Sequence, residues 1–450
     1  MSINTADQNI NPNDKAIRSF LDKFGIKALN PMQEEARKTI QLKKDVVLLS
    51  PTGTGKTLAF LLPLIEQLDV ECAEIQLLIL VPSRELAQQI EQVTRKMGSG
   101  FKVNAVYGGR AGSLDRIDLK HRPAILIGTP GRVADRMRRD NFSLEFIHTL
   151  ILDEFDKSLE IGFEKEMAEI LEALPNVQQR ILTSATSDAK IPEFVRLLKP
   201  VFINYLKEAS SQLTIKTILS PQKDKLAALK KTLAFIGHQP GIIFCNFKDA
   251  LERVSEFLTE NRIGHECFHG GMEQIDRERA LVKFRNGTIQ LLLATDLAAR
   301  GLDIPEIKFI LHYHLPLRNK EFTHRNGRTA RMNRDGMAYI LHWEGEDLPD
   351  FIQELSLENL RVEDLKKSSL PTPIKWTTLY ITGGRRDKIS KGDVAGLFLK
   401  QGQIQKDQLG VIEVQQNCTY VGVHEDVAEK LIAKTNNSRL KKAKVRISLV

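Results

Sequence analysis

Two adjacent carboxylates could do chemistry in the stretch HTLILDEFDK, residues 148–157, where Asp153 and Glu154 directly follow an apolar run. Taken alone, an acidic pair after a strand is more often a solvated turn. The same pair could instead hold a metal ion and take a proton from a water molecule that attacks a phosphate. This second hypothesis requires a phosphate-binding element in the same domain.

Such an element is indicated by PTGTGKT, residues 51–57, which lies between the apolar runs VVLLS and LAFLLPLIEQL. Glycines let the backbone curl so that its amides face phosphate oxygens, and the N-terminus of a following helix favours an anion. Ser50 stands where the general GxxxxGK(S/T) pattern has its first glycine, and an accidental glycine-rich turn is the alternative. The predicted ATP-binding residues of the loop are Thr52, Gly53, Thr54, Gly55, Lys56 and Thr57.

The loop and the acidic pair together predict a site that hydrolyses a nucleoside triphosphate. The Thr57 hydroxyl and the Asp153 carboxylate are the expected ligands of Mg²⁺, directly or through water, and Lys56 would reach the terminal phosphates of ATP. Glu154 would then orient or deprotonate the attacking water, a contribution of roughly 10² to 10⁴ in rate.

Positive charge for the transferring phosphoryl group is offered by HRNGRTAR, residues 324–331. Arg328 and Arg331 lie three residues apart, so both would project from one face if the segment is helical. With His324 they are the predicted catalytic residues of the second half of the chain. An arginine supplied across an interface contributes about 10³ to 10⁵ in rate, and a basic surface helix is the alternative.

The elements that must position these residues are strands and helices in alternation, which predicts an α/β fold with parallel sheets. The first half contains VVLLS, LLILV, VNAVY, AILIGT, LILDE and RILTSAT, and the second half contains GIIFCN, HECFHG, LLLATD, FILHYHLP and AYILHW. We therefore predict two tandem α/β domains, residues 1–205 and 212–365. A Ser- and Pro-containing linker, residues 366–375, would lead to a small α+β domain, residues 376–450.

Composition points to a globular protein without membrane spans. The chain has 450 residues, of which 42% are hydrophobic and 27% charged. No apolar run reaches the roughly 18 residues that a span needs, and the polar N-terminus MSINTADQNINPNDK lacks a signal-peptide core, which favours the cytosol. The four cysteines show no CxxC spacing, so neither a disulfide framework nor a zinc site is expected.

The net charge of +8 is concentrated in the tail, because residues 371–450 hold 14 Lys and Arg against 7 Asp and Glu, a balance of +7. A solvated basic face is one interpretation. A compact basic segment is also the electrostatic signature of a nucleic-acid binder, and charge alone slightly favours that second interpretation.

With these elements in order, residues 20–365 resemble the DEAD-box RNA helicases. The motifs that carry the resemblance are, in sequence order, NPMQ around Gln33, SPTGTGKT, PSRELAQQ, the glycines at 108 and 109, TPGR at 129–132, DEFD, SAT at 184–186, FHGGMEQIDR, ATDLAARGLD and HRNGRTAR. The resemblance implies two RecA-like domains that close on ATP and single-stranded RNA together.

The resemblance also implies roles for single residues. Gln33 would read adenine, and Asp303 would reach the ribose. Arg328 and Arg331 would contact the γ-phosphate. Ser184 and Thr186 would link hydrolysis to RNA binding. The residues that would line the RNA path are Arg84, Gly109, Thr129, Arg132, Arg277 and Thr295. Hydroxyls, amides and arginines at these positions bind phosphates and sugars without reading bases, so RNA selection must come from elsewhere.

The tail resembles the RNA-binding domain that follows the core in DbpA-type helicases, a variant of the RRM fold. The matching stretches are TLYITGGRRDKISKGDVAGLF and TYVGV. Tyr380 and Tyr420 would then lie on the two central strands, where an RRM stacks bases, although half-buried strand tyrosines are the alternative. The residues that would meet phosphates are Arg385, Arg386, Lys388 and Lys391.

Three positions depart from the family pattern. Phe155 stands where the DEAD motif has Ala, so a large ring must be housed beside the metal carboxylate. No aromatic residue stands just upstream of Gln33, where the family stacks one on adenine, and Phe20 and Phe24 are the nearest. His314 replaces the Asp of the family's YDLP.

The leading hypothesis is a monomeric, ATP-dependent RNA helicase that strips short duplexes or remodels ribosomal RNA in ribosome assembly. A non-enzymatic alternative is an ATP-gated RNA clamp whose site Phe155 has damaged, and a third is a DNA helicase of the same superfamily. The target RNA, the duplex polarity and the need for protein partners do not follow from the sequence.

Overall fold

A computed structural model describes residues 12–109, 112–139, 142–186, 190–206, 213–296, 307–329, 335–355, 357–366, 370 and 375–450. These residues fall into two compact units, one up to residue 206 and one from residue 213 onward. The second unit contains an α/β domain and the small C-terminal domain. Most of the predicted linker, residues 366–375, lies outside the described residues.

The first unit is built on a parallel sheet. Its strands are β1 (Val46–Leu49), β2 (Leu77–Leu80), β3 (Val103–Val106), β4 (Ile125–Gly128), β5 (Thr149–Leu152), β6 (Gln179–Ser184) and β7 (Val201–Asn204). Their order across the sheet is β3-β4-β2-β5-β6-β1-β7. All six apolar runs predicted as strands are confirmed, because strands covered on both faces must be apolar throughout.

Helices cover both faces of this sheet. They are α1 (Pro12–Phe24), α2 (Pro31–Gln41), α3 (Lys56–Ile65), α4 (Arg84–Met97), α5 (Gly112–Leu119), α6 (Pro130–Arg139), α7 (Phe155–Ile161) and α8 (Glu164–Ala173). Alternate residues of β1 enter opposite cores, since Val46 and Leu48 pack in a cluster with Phe60 of α3, while Val47 packs with Leu78 and Val133. The sheet is therefore the rigid layer from which loops at its carboxyl edge project.

The second α/β domain repeats this design. Its strands are β8 (Leu213–Ser220), β9 (Gly241–Phe244), β10 (His265–Phe268), β11 (Leu291–Ala294), β12 (Phe309–His312), β13 (Gly336–Trp343) and β14 (Glu358–Arg361). Its described helices are α9 (Leu226–Ile236), α10 (Lys248–Glu260), α11 (Gln274–Arg285), α12 (Asn319–Asn326) and α13 (Asp350–Gln353). The strand order, β10-β11-β9-β12-β13-β8-β14, equals that of the first sheet when each is counted from its own first strand.

The predicted join between the two domains, VFINYLKEASSQLTIKT, contains β7 at its start and the beginning of β8 at its end. The sequence pattern does not predict these two strands because their burial alternates irregularly, and only Ile203 of β7 is buried. Residues 207–212 between them lie outside the described residues.

The C-terminal domain is an antiparallel sheet packed on helices, as the α+β pattern predicts. Its elements are β15 (Trp376–Thr382), α14 (Lys391–Gly396), β16 (Leu409–Val414), β17 (Cys418–His424), α15 (Glu425–Thr435), β18 (Arg439–Leu440), β19 (Ala443–Lys444) and β20 (Ile447–Leu449). The four-stranded order is β16-β17-β15-β20. One face of the central strands, with Leu379, Ile381, Val421 and Val423, forms the domain's own core with Leu431 of α15.

Candidate ATP and RNA sites

The glycine-rich loop joins β1 to α3 as the sequence predicts. Gly53 and Gly55 have φ of 84° and 86°, in the left-handed region that glycine adopts at little cost. A Cβ on Gly55 would lie 2.3 Å from the Gln33 side-chain nitrogen. The positive φ therefore favours glycine at this point of the loop, and a side chain there would also displace the Gln33 amide.

Lys56 is buried at the start of α3 and turns back onto its own loop. Its Nζ donates to the carbonyl oxygens of Ser50 at 2.5 Å and of Pro51 at 2.9 Å. Burial lowers the pKa of the Lys56 ammonium to about 8, against the opposing effect of nearby carboxylates. Ser50 itself donates to the Thr54 hydroxyl at 2.8 Å, so the serine in the first-glycine position holds the loop together internally.

Gln33 lies beside the loop rather than at a distance from it. It completes a capping box with Asn30 at the start of α2, and its Nε2 donates to the Gly55 carbonyl at 3.2 Å. Asn30 donates to the Thr54 carbonyl at 3.0 Å. The aromatic candidates upstream, Phe20 and Phe24, pack against the first core instead of standing free.

The acidic pair is buried, so the solvated-turn alternative is wrong. Asp153 and Glu154 are 3% and 6% exposed. Asp153 accepts a hydrogen bond from the Thr183 hydroxyl of β6, and the Glu154 amide donates to the same hydroxyl at 3.1 Å. Burial, together with the charge of Glu154, raises the pKa of the Asp153 carboxyl to about 6.

Glu154 is fixed by a contact that sequence reasoning missed. Its backbone is left-handed, with φ of 50°, and its Oε2 lies 2.7 Å from the Nζ of Lys157, a fully buried lysine one helical turn later. A buried carboxylate needs such a partner because desolvation otherwise disfavours its charge. The only sequence signal was the spacing of three residues between Glu154 and Lys157.

The SAT motif is joined to the DEFD motif by side chains. The Ser184 hydroxyl donates to the Thr186 carbonyl and accepts from the Thr186 amide, both at 2.9 Å. The Thr186 hydroxyl donates to the Asp156 carboxylate at 3.3 Å. The last residue of DEFD therefore anchors the motif predicted to link hydrolysis to RNA binding.

The Phe155 side chain lies in the hydrophobic core of the first domain. Its ring is 2% exposed and packs in the core cluster that contains Val47, Leu80 and Met167. The phenylalanine ring, which is larger than the alanine of the family motif, is thus buried in the apolar core on the face of the sheet that α7 and α8 cover.

Among the RNA-path candidates of the first unit, Arg84 and Gly109 come together. The Arg84 guanidinium would lie 2.3 Å from a Cβ on Gly109, and the φ of 80° at Gly109 is in the left-handed region that favours glycine. Arg132 instead pairs with Asp115, with Nε to Oδ2 of 2.7 Å. Thr129 is buried, and its carbonyl accepts from the Arg132 amide at 3.0 Å. The two arginines therefore belong to separate local arrangements.

In the second α/β domain, HRNGRTAR is helical only in part. Helix α12 ends at Asn326 with Gly327 as its C-cap, so the buried Arg328 lies in the turn after the helix. The condition under which Arg328 and Arg331 would share a helical face is therefore not met at Arg328, which follows the last helical residue. His324, in the last turn, is 6% exposed. Arg331 and Asp303 lie outside the described residues.

The fully buried arginine of this motif is Arg325. Its guanidinium forms two hydrogen bonds with Asp296, of 2.6 and 2.5 Å, and also donates to Asn246 Oδ1 at 2.7 Å and to the His314 carbonyl at 2.9 Å. His314 is half-buried, and burial lowers its pKa to about 4. A neutral histidine is thus accommodated where the family has Asp.

Thr295 lines a cleft of about 420 Å³ at the carboxyl edge of the second sheet, together with Asn246, Lys248 and the glycines at 270 and 271. Arg277 lies on α11, with its guanidinium 4.9 Å from the ring centre of Phe268. Thr295 and Arg277 therefore lie in the same domain but on different elements, since Thr295 follows β11 and Arg277 lies on α11.

The two tyrosines of the C-terminal domain are paired across β15 and β17, with ring centres 5.5 Å apart. Tyr420 points away from the domain's own core, yet only 1% of it is exposed. In this arrangement it is closed to a stacking base, contrary to the role expected for it. Tyr380 is partly buried.

The cover over this sheet face comes from the second α/β domain. Arg285, at the end of α11, forms a two-pronged ion pair with Glu413 of β16, at 3.0 and 2.7 Å. The Thr288 and Thr378 hydroxyls are 2.7 Å apart. In the segment 385–391, the side chains of Arg386, Lys388 and Lys391 are exposed, and the Arg385 Nε donates to the Val414 carbonyl at 3.0 Å.

These features together define a class of protein. Two parallel sheets of one topology, with a glycine-rich phosphate loop and a buried carboxylate pair on the first, are those of a RecA-like P-loop nucleoside triphosphatase. Among the residues that the structure describes, no helix is both long and apolar enough to cross a membrane.

Among RecA-like P-loop nucleoside triphosphatases, this chain is similar to RNA helicases. Family models for DEAD/DEAH box helicase, helicase conserved C-terminal domain and DbpA RNA binding domain match residues 30–194, 224–333 and 378–449. The chain is 30% identical to the ATP-dependent RNA helicase DbpA of Escherichia coli over 99% of this chain and 100% of that one. It is 29% identical to its namesake in Bacillus subtilis, over 90% and 91% of the two chains.

Solved structures agree in fold. S. cerevisiae Dbp5 bound to RNA and ADP BeF3 has a TM-score of 0.68 at 23% identity, covering 79% of this chain and 95% of that one. Mss116p bound to ssRNA and AMP-PNP also has a TM-score of 0.68, at 25% identity over 77% of each chain. The chain belongs to the DEAD-box family of ATP-dependent RNA helicases and carries a DbpA-type RNA-binding domain.

Proposed function

We propose that this chain hydrolyses ATP to ADP and phosphate when RNA is bound, and uses the cycle to unwind or remodel short structured RNA. The observation that carries the proposal is the buried cluster of Lys56, Asp153 and Glu154. Within it, the two carboxylates influence the pKa of Lys56, and Glu154 and Lys56 influence the pKa of Asp153. Buried titratable groups with perturbed pKa values in one place are costly and mark catalytic sites.

The residues present fit Mg²⁺ and ATP. Mg²⁺ prefers oxygen ligands and is usually held by one or two carboxylates together with substrate phosphates. Thr57 and Asp153 would hold it, where it would neutralise charge on the transferring phosphoryl group. Lys56 would exchange its carbonyl partners for phosphate oxygens, and the loop amides would cradle the phosphates. Glu154 would accept the proton of the attacking water at its carboxylate.

Gln33 would read adenine, and Asp303 would bind the ribose. Arg328 and Arg331 would stabilise the γ-phosphate, with His324 beside them. Turnover then depends on RNA, because binding of the strand is what assembles the complete site. Ser184 and Thr186 would transmit this dependence through Asp156.

RNA would bind the core through phosphates and sugars, and the C-terminal domain would choose the RNA. The proposed core contacts are Arg84, Gly109, Thr129, Arg132, Arg277 and Thr295. For the tail we propose phosphate contacts by Arg386, Lys388 and Lys391, whose side chains are exposed, and by the half-buried Arg385. We further propose ribosomal RNA in ribosome assembly as the target, and a cytoplasmic monomer, with the full-length match to DbpA helicases as support.

The non-enzymatic clamp is the weaker candidate, since Phe155 packs in the core and leaves both carboxylates in place. The experiment is ATP turnover without nucleic acid, with single-stranded RNA, and with DNA of equal length. We expect stimulation by RNA alone. Equal turnover in all three conditions would refute RNA dependence, stimulation by DNA would favour a DNA helicase, and binding without turnover would favour the clamp.

Selection by the tail is tested separately with Arg386, Lys388 and Lys391 all changed to Ala. The matched control changes the equally exposed Lys400, Lys406 and Lys430 to Ala. The first variant should lose the preference for structured ribosomal RNA and part of the salt dependence, because phosphate contacts set that slope. The control should keep the preference, and an equal loss in both would mean that net charge alone acts.

A further inference from the structure

Phe247 occupies a position where both local stability and solvation disfavour it. It is the N-cap of α10, has extended backbone angles, and makes no side-chain cap hydrogen bond. Ser, Thr, Asp and Asn are preferred there because their oxygens satisfy a free amide. The ring is also 64% exposed. Phe247 thus lacks the capping oxygen that an N-cap favours and exposes an aromatic ring to solvent. Residues that are unfavourable for local stability are expected at functional sites.

The surroundings of Phe247 indicate what the ring could meet. It lines the 420 Å³ cleft that also contains the Thr295 hydroxyl and the Lys248 ammonium, which suit a nucleic-acid backbone. Lys248 lies 3.3 Å from Glu252 in an exposed ion pair, which solvent weakens. The two carboxylates of the cleft are engaged, Asp296 with Arg325 and Glu321 with the Leu317 amide. Leu317 lines the same cleft and is 70% exposed. An aromatic ring at the edge of a polar cleft matches a nucleotide, which has a charged backbone and an apolar base face.

The segment that carries the ring is held firmly. Asn246, the preceding residue, donates to the Leu315 carbonyl at 2.9 Å and accepts from the buried Arg325 at 2.7 Å. Arg325 is in turn fixed by Asp296. The ring is thus presented from an ordered support, which lowers the entropy lost when a ligand binds.

We propose that Phe247 stacks on an unpaired RNA base while Thr295 and Lys248 hold the adjoining backbone. This rests on the proposed RNA-binding function of the core and adds to it a contact with a base. Stacking accepts any base because every base has an aromatic face. The core therefore remains indifferent to sequence but requires a base at this point of the strand.

The test measures binding of the full chain to single-stranded RNA in the presence of a non-hydrolysable ATP analogue, using intact RNA and RNA with abasic nucleotides. Phe247→Thr removes the ring and supplies a capping hydroxyl. Intact RNA should bind about 5- to 100-fold more weakly to this variant, while abasic RNA should bind parent and variant alike. The thermal midpoint should rise, so lost binding cannot be attributed to misfolding.

Phe247→Trp should keep the affinity for intact RNA, and Phe202→Thr, at a 59% exposed phenylalanine of β7, should leave it unchanged. Parental affinity in Phe247→Thr would overturn the proposal. So would an equal loss for intact and abasic RNA, since the ring would then act without a base. If the parent binds neither RNA with the ATP analogue, the proposed RNA-binding function itself fails.

Discussion

The two α/β domains have the same strand order but different chemistry at equivalent points. Each first strand leads through a serine into a five-residue loop that begins with proline, residues 51–55 in one domain and 221–225 in the other. The first loop, PTGTG, has two glycines with positive φ, whereas the second, PQKDK, has none. Only the first can therefore turn its amides toward phosphates, so topology alone does not create the site.

The lysines next to these loops make the contrast sharper. Lys56 donates to the backbone carbonyls of Ser50 and Pro51. Lys225 is also buried, but it is paired with the Glu346 carboxylate and the Leu341 carbonyl, both at 3.0 Å. A lysine on neutral acceptors can exchange them for phosphate, while one neutralised by a carboxylate is structural.

The equivalent strands β5 and β12 differ in the same way. Asp153 and Glu154 follow β5, whereas Tyr313 and His314 follow β12.

The largest predicted effect tests this difference. Glu154→Gln should lower RNA-stimulated ATP turnover by about 10² to 10⁴, because the amide keeps the shape but accepts no proton, and ATP binding should persist.

His314→Gln is the matched change in the second domain and should leave turnover within a few-fold of the parent. Single-turnover hydrolysis and nucleotide binding measure the two variants. Parental turnover in Glu154→Gln would remove the general-base role from Glu154.

The second prediction compares the lysines. Lys56→Met should weaken ATP binding by about 10- to 100-fold, since a charged hydrogen bond is worth about 1.5 to 3 kcal/mol, without lowering the free energy of unfolding. Lys225→Met should keep ATP affinity but lose about 1 to 3 kcal/mol of stability, because Glu346 is left without its partner. Calorimetric titration and denaturant unfolding measure both, and matching losses in the two variants would contradict the distinction.

The third prediction is that the domains respond oppositely to acid. Burial lowers the pKa of His312 to about 3, so its stabilising contribution is present above pH 6.5 and is lost as the unfolded chain takes up a proton at lower pH. Between pH 7 and 5 this costs about 2 kcal/mol.

The raised pKa of Asp153, about 6, has the opposite sign, because the native carboxyl takes up a proton before the unfolded one does. It adds about 1 kcal/mol of stability over the same interval. Unfolding at several pH values should show a shallower acid loss in His312→Gln and a steeper one in Asp153→Asn. Unchanged pH slopes in both would contradict the assigned pKa directions.

The smallest predicted effect concerns the ion pair between Arg285 of the second α/β domain and Glu413 of the C-terminal domain. The first α/β domain has no part in this pair. Arg285→Ala or Glu413→Ala should each loosen the C-terminal domain, with a coupling of about 1 kcal/mol in a double-mutant cycle. Amide hydrogen exchange along β17 should rise in either variant. The exchange of charges, Arg285→Glu with Glu413→Arg, should restore protection, and additive effects would mean that the pair does not hold the interface.

Much of the fold was predictable because its signals are local. Apolar runs marked eleven strands, six in the first α/β domain and five in the second. The irregular β7, β8 and β14 were missed because edge and near-edge strands lack a continuous apolar pattern. For the site, the loop and the acidic pair were found, while Thr183, Asp156 and Lys157 were not.

The sequence by itself determined the α/β class, the phosphate loop, the carboxylate pair and the basic tail, because each depends on neighbouring residues and on composition. Tertiary structure alone decided that Lys157 meets Glu154 in a buried pair, that Arg325 is committed to Asp296, and that Tyr420 is covered by the second domain. Burial and pairing depend on which distant segments pack together, and no local pattern of residue types contains that information.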